Sequence, residues 1–158
     1  MRTRVSGWRA RYDQWFMVPQ TVVVQPTTWC NLDCHYCYLP SRKLRYHMRP
    51  DVADALAMSV AQLTASGSPP IGIVWHGGEP LALGPQKFRA LLAPFEDLRR
   101  AGRVHHYVQT NATLITGTWC ELLTAYDIRV GVSIDGPAVL RTASSTTAPL
   151  PESGPSDP

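Results

Sequence analysis

Three of the four cysteines in this 158-residue chain fall within one short stretch, "CNLDCHYC", spaced Cys30-x3-Cys34-x2-Cys37. Thiolates this close on a single loop can wrap three corners of a cubane [4Fe–4S] cluster, which normally takes four. The remaining iron would then be open to a small molecule, as the open position of a catalytic metal is. Zinc is the rival reading, with Cys34 and Cys37 as half of a site completed by Cys30, His35 or Cys120. Structural zinc usually takes a second closely spaced pair from elsewhere, and the sequence holds none. Cys120 lies between Trp119 and Glu121 in a helical pattern and reads as a small packing hydrophobe.

The surrounding pattern says what must position this loop. "TVVVQ" is β-branched and predicts a strand over 21–25, stopped by Pro26 just before the first thiol. "RPDVADALAMSVAQLTASG" predicts a helix with Val52, Leu56, Val60 and Leu63 as its apolar stripe. Pro50 suits its first position, Asp51 and Asp54 its N-terminal dipole, and Gly67 its stop. "IGIVW" predicts a strand over 71–75, running into "HGGEP". A second helical pattern carries Phe88, Leu91, Leu92, Phe95 and Leu98 on one side, with Pro94 predicting a kink or break. "VHHYVQT" predicts a third strand. "TWCELLTAY" predicts a third helix, with Thr118 and Glu121 at capping-box spacing. "IRVGVSID" predicts a fourth strand.

Alternating strands and helices imply an α/β fold with a parallel sheet and right-handed crossovers. Ligands of such folds gather at the C-terminal strand ends. Here those ends carry the cysteine loop, "HGGEP", "QTNAT" and "SIDGP". Taken singly, "GGEP" and "DGP" are also ordinary turns, and Asn111 an ordinary turn residue. Four marked loops on one rim say more than any one of them.

Composition narrows the partners. The net charge is only +3, with Arg2, Arg4, Arg9 and Arg11 at the start, and no basic stripe interleaved with aromatics suggests nucleic acid. No apolar run approaches the roughly 20 residues of a membrane span, and no apolar segment follows the N-terminal arginines as in a secretory signal. A cytoplasmic chain with reduced thiols is the expectation. Residues 1–18 read as a basic lead-in, 19–140 as the core, and 141–158, which hold four prolines and no aromatic, as a disordered tail.

The combined motifs resemble the radical S-adenosylmethionine (SAM) superfamily. "CNLDCHYC" is similar to its cysteine motif and "GGEP" to its glycine-rich turn. "QTNATLI" and "VGVSIDGP" resemble the third and fourth strand ends of one branch. That branch contains the anaerobic sulfatase-maturating enzymes and peptide-modifying relatives with a SPASM domain. The resemblance implies that Cys30, Cys34 and Cys37 hold a [4Fe–4S] cluster whose open iron binds SAM. One electron then cleaves the sulfonium bond, and the 5′-deoxyadenosyl radical takes hydrogen from a substrate, commonly a peptide or protein. It implies an electron donor as a partner. It also implies SAM contacts from Tyr36 near adenine, Gly77, Gly78 and Glu79 at the methionine end, and Asn111, Ser133 and Asp135 on the strand ends.

The family core is a partial (β/α) barrel of six strand–helix units, and this pattern supplies about three and a half. The expectation is therefore a truncated radical SAM core. A remnant that binds cluster or SAM without catalysis, or needs a partner chain, stands beside the enzyme reading. A zinc-binding module stands third.

Overall fold

The structure, a computed structural model, describes residues 19–41, 43–64, 68–134 and 136. The basic lead-in, Gly67, Asp135 and the tail lie outside the described residues.

Four strands make one sheet in the order β1 (Thr21–Val24), β2 (Ile71–Trp75), β3 (Val104–Thr110) and β4 (Arg129–Val132). Every pairing is parallel: Val24 lies opposite Trp75, Trp75 opposite Val108, and Val108 opposite Val130. Helices fill the crossovers: α1 (Pro50–Leu63) between β1 and β2, α2 (Pro85–Leu92) and α3 (Glu96–Arg100) between β2 and β3, and α4 (Gly117–Ala125) between β3 and β4. This is the parallel α/β architecture, about three and a half strand–helix units, that the resemblance implies. Because the strands are parallel and in register, all four C-terminal ends meet at one rim. Among the described residues no helix is long and apolar enough to cross a membrane.

The core forms where the sheet's helix side meets those helices. Ile71, Ile73 and Trp75 alternate inward along β2, as period-two geometry requires. Trp75 packs edge-on to Phe88 (5.3 Å between centroids) and Phe95 (6.1 Å), and Phe88 packs on Trp119 (5.4 Å). Such pairs contribute roughly 0.5–1.5 kcal/mol each beyond area burial. His106 joins this cluster at 1% exposure, its Nδ1 accepting from Trp75 Nε1 at 3.2 Å. Burial then holds its pKa down at about 4, because the charged imidazolium would be stranded from water.

The break at Pro94 is present: α2 ends at Leu92, a 3₁₀ turn spans Ala93–Phe95, and α3 comes next. Phe88, Leu91, Leu92, Phe95 and Leu98 are all buried, as their spacing predicts. Three expectations are corrected. The packing face of α1 is Ala53, Ala57 and Val60, with Val52 (47%) and Leu63 (40%) exposed. Small alanines let the helix lie close to its neighbours, so the true face sits one residue round from the bulky stripe. The cap of α4 is Thr116, whose hydroxyl accepts from Trp119 N, rather than Thr118. Cys120 is exposed, because Trp119, Leu122 and Leu123 take the buried face of α4. The outer strands are also shorter than predicted, β1 by one residue and β4 at both ends.

Candidate active site

The cysteine loop leaves the C-terminal end of β1 and is clasped at its base. Thr28 N donates to Tyr46 O (3.0 Å), Met48 N donates to Pro26 O (2.8 Å), and Thr27 forms an antiparallel bridge with His47. The Thr28 hydroxyl donates to Leu44 O (2.6 Å) and accepts from Tyr46 N (3.1 Å). The Arg45 guanidinium lies 4.4 Å from the centre of the Trp29 ring, a cation–π contact. The clasp turns a long excursion into a closed loop whose tip carries the three thiols.

Cys30, Cys34 and Cys37 are each half-buried and line one cavity of about 230 Å³ at the sheet rim. Cys37 N donates to Cys34 O (3.1 Å), so the second and third cysteines share one turn. Leu32 N donates to Cys30 Sγ at 3.4 Å. Burial pushes the Cys30 thiol pKa up; the Leu32 N–H draws it back, and the neighbouring negative charge of Glu79 adds to the rise. A metal bound there would supply the positive charge a thiolate needs. Among the described residues no three Cys, His, Asp or Glu side chains converge as ligands of a single ion. A cluster asks for something different, three sulfurs at separate points round one cavity, with an N–H on a sulfur. The donor set fits that group.

The opposite wall is the turn after β2. Gly77 (φ +86°) and Gly78 (φ +57°) adopt left-handed backbone that favours glycine. A Cβ on Gly78 would lie 2.6 Å from the carbonyl oxygens of both Thr27 and Trp29. The missing side chain therefore admits the cysteine loop itself, and Glu79 N donates to Trp29 O at 2.8 Å. Glu79 is 1% exposed. Its Oε1 accepts from Leu81 N (3.0 Å) and the Thr110 hydroxyl (2.6 Å), and its Oε2 from Asn111 N (2.9 Å). Burial pushes its pKa up, and these three donors and the nearby His76 oppose the rise. An ionised carboxylate offers about four lone-pair sites; three are taken, leaving one on Oε2 for a cation. His76 also lines the cavity, and its buried Nδ1 has no hydrogen-bond partner among the described residues.

The third wall is built from the end of β3 and the residue just past β4. Asn111 Nδ2 donates to Asn31 Oδ1 (3.0 Å) and approaches Cys30 Sγ at 3.9 Å. Asn111 Oδ1 accepts from Thr113 N (3.0 Å) and the Thr113 hydroxyl (2.7 Å), and that hydroxyl accepts from Asn31 Nδ2 (2.8 Å). Ser133 is the residue beyond β4. Its N donates to Thr110 O (2.9 Å), and its hydroxyl accepts from Gln109 Nε2 (2.8 Å).

A family model described as the Radical SAM superfamily matches residues 24–142. The chain belongs to the radical SAM superfamily. Among its relatives is the serine-type anaerobic sulfatase-maturating enzyme of Bacteroides thetaiotaomicron, 32% identical over 127 residues, which cover 77% of this chain and 31% of that protein. An uncharacterized protein of Synechocystis sp. is 38% identical over 126 residues, covering 75% of this chain and 31% of that one. The solved structure of anSMEcpe with bound AdoMet and Cp18Cys peptide superposes with a TM-score of 0.63 at 27% identity, covering 82% of this chain and 35% of that one. This radical SAM chain thus spans about a third of the length of the curated relatives it matches.

The cavity brings together the three cysteines, Tyr36, Gly77, Gly78, Glu79, Asn111 and Ser133, all of them singled out by the sequence. Asp135 falls outside the described residues. Sequence reasoning missed Asn31 and Thr113, which with Asn111 tie the cysteine loop to the rim. No spacing rule marks them, although Asn31 lies inside the cysteine motif and Thr113 two residues past Asn111.

Proposed function

We propose that this chain holds a [4Fe–4S] cluster on Cys30, Cys34 and Cys37, binds SAM beside it, and serves hydrogen abstraction from a peptide or protein. A reduced cluster held by Cys30, Cys34 and Cys37 would supply the one electron needed to cleave the sulfonium of SAM bound beside it, and so the hydrogen-abstracting chemistry. The observation that carries the reading is one cavity lined by three half-buried thiols, a left-handed Gly77–Gly78 turn and a buried carboxylate with an open lone pair.

The chain's own residues divide the work by chemistry. Gly77 and Gly78 hold the cysteine loop against the β2 turn and keep that wall thin. Glu79 braces the turn to β3, and its remaining lone pair suits the ammonium of a methionine moiety. Tyr36 offers a ring at the cavity mouth for adenine, and Ser133 and Gln109 offer hydroxyl and amide groups for the ribose. Peptide substrates are supported by the peptide in the anSMEcpe complex. A reductant of low potential is the implied partner.

Anaerobic reconstitution with iron and sulfide tests the ligand set. Cys30→Ala, Cys34→Ala and Cys37→Ala should each lose most of the bound iron, and Cys120→Ala should keep it. Equal loss in all four would remove the assignment. Release of 5′-deoxyadenosine on reduction in the presence of SAM tests catalysis separately.

A further inference from the structure

We infer that Asn111 positions Cys30 and tunes the reduction potential of the cluster by donating an amide N–H to its sulfur; this deepens, and rests on, the cluster reading above. A primary amide has two donors and one oxygen with two lone pairs. All four capacities of Asn111 are assigned within the protein. Oδ1 takes both donors of Thr113, one N–H goes to Asn31 Oδ1, and the second faces Cys30 Sγ at 3.9 Å.

The amide cannot rotate without giving up these partners. Asn31 Nδ2 in turn donates to the Thr113 hydroxyl, which closes a ring of side chains between the cysteine loop and the β3 end. Asn31 is 8% exposed, so the ring is buried at its cysteine-loop end, while Thr113 at the other end is exposed. Cys30 therefore receives two N–H groups, from Leu32 in its own loop and from Asn111 across the rim. N–H donors to ligating sulfurs withdraw charge and stabilise the reduced cluster, raising its potential. The chain has only two asparagines, and both stand in this ring.

A direct SAM contact through the Asn111 amide, as family resemblance implies, would require it to give up one of these partners. The arrangement fits a fixed brace that sets the electronics of one cluster corner.

The test is a potentiometric titration of the reconstituted full chain, with iron content measured in parallel. Asn111→Leu keeps the shape of the side chain and removes the donor. The expected result is wild-type iron content with a midpoint potential shifted to a more negative value. Asn111→Gln, which keeps an amide on a longer stem, should move the potential back toward wild type. An unchanged potential in Asn111→Leu at full iron content would overturn the inference while leaving the cluster reading intact. If Asn111→Leu fails to hold iron, recovery of iron and potential in Asn111→Gln supports the donor role, and loss in both variants overturns it. Wild-type protein that takes up no cluster refutes the underlying reading instead.

Discussion

Replacing Gly78 with alanine isolates what holds the cysteine loop against the rim. Two effects add. The backbone at Gly78 has φ +57°, and an L-residue in left-handed backbone costs about 1–2 kcal/mol. The new Cβ also meets the carbonyl oxygens of Thr27 and Trp29 at 2.6 Å, well inside contact distance. Both oxygens belong to the loop base, and Trp29 O already accepts from Glu79 N. Neither can yield without shifting the cysteine loop, and overpacking of this kind costs roughly 1–3 kcal/mol. Gly102→Ala is the internal control. Gly102 has φ +68° and, among the described residues, nothing within 4 Å of an added Cβ, so it carries the backbone effect alone. Urea denaturation should therefore show Gly78→Ala less stable than Gly102→Ala by roughly 1–3 kcal/mol, the overpacking share. Iron uptake should fall in Gly78→Ala and persist in Gly102→Ala. Equal stability loss and equal iron uptake in the two variants would refute the packing argument.

Other contacts set further expectations. His106 has a folded pKa of about 4, below its ordinary 6.5, so it favours folding above pH 6.5 and this contribution is lost as pH falls towards 4. The shift corresponds to roughly 3 kcal/mol between pH 7 and pH 4; denaturation curves across that range should show a shallower acid decline in His106→Gln than in wild type. Glu79 shifts the opposite way: its raised pKa means the ionised carboxylate opposes folding as pH rises through the carboxyl range. Thr110→Val removes the 2.6 Å donor to Glu79 and should destabilise the chain by about 1–3 kcal/mol, the range for a hydrogen bond to a charged buried group. A loss no larger than that of an exposed Thr118→Val change would contradict the bracing role of Glu79.

The parts of the fold governed by strong local periodicity were legible. β2 and β3 coincide with "IGIVW" and "VHHYVQT", and Pro94 marks the break in the helical segment because proline cannot donate within it. Only part of the α1 face was legible, Val60 but not Ala53 and Ala57, since apolar residues lie on two sides of that helix and its packing against the helical segment after β2 chooses between them. Alanines at 53 and 57 win because they allow close approach. The exposure of Cys120 has the same origin: a bulkier neighbour, Trp119, claims the buried position. At the site, the three cysteines declare themselves by spacing. The clasp formed by Thr28 with Leu44 and Tyr46, and the ring of Asn31, Asn111 and Thr113, do not. The ring joins residues up to 82 apart that the parallel register brings to one rim, and the clasp closes a loop over 16 to 18 residues.

The central claim is an iron–sulfur cluster held by three cysteines with one iron left for SAM. Electron paramagnetic resonance of the reduced, reconstituted chain, recorded with and without SAM, addresses it most directly. The predicted result is a [4Fe–4S] signal whose g-values change when SAM is added. A chain that forms no such cluster, or whose signal is unaltered by saturating SAM, contradicts the claim.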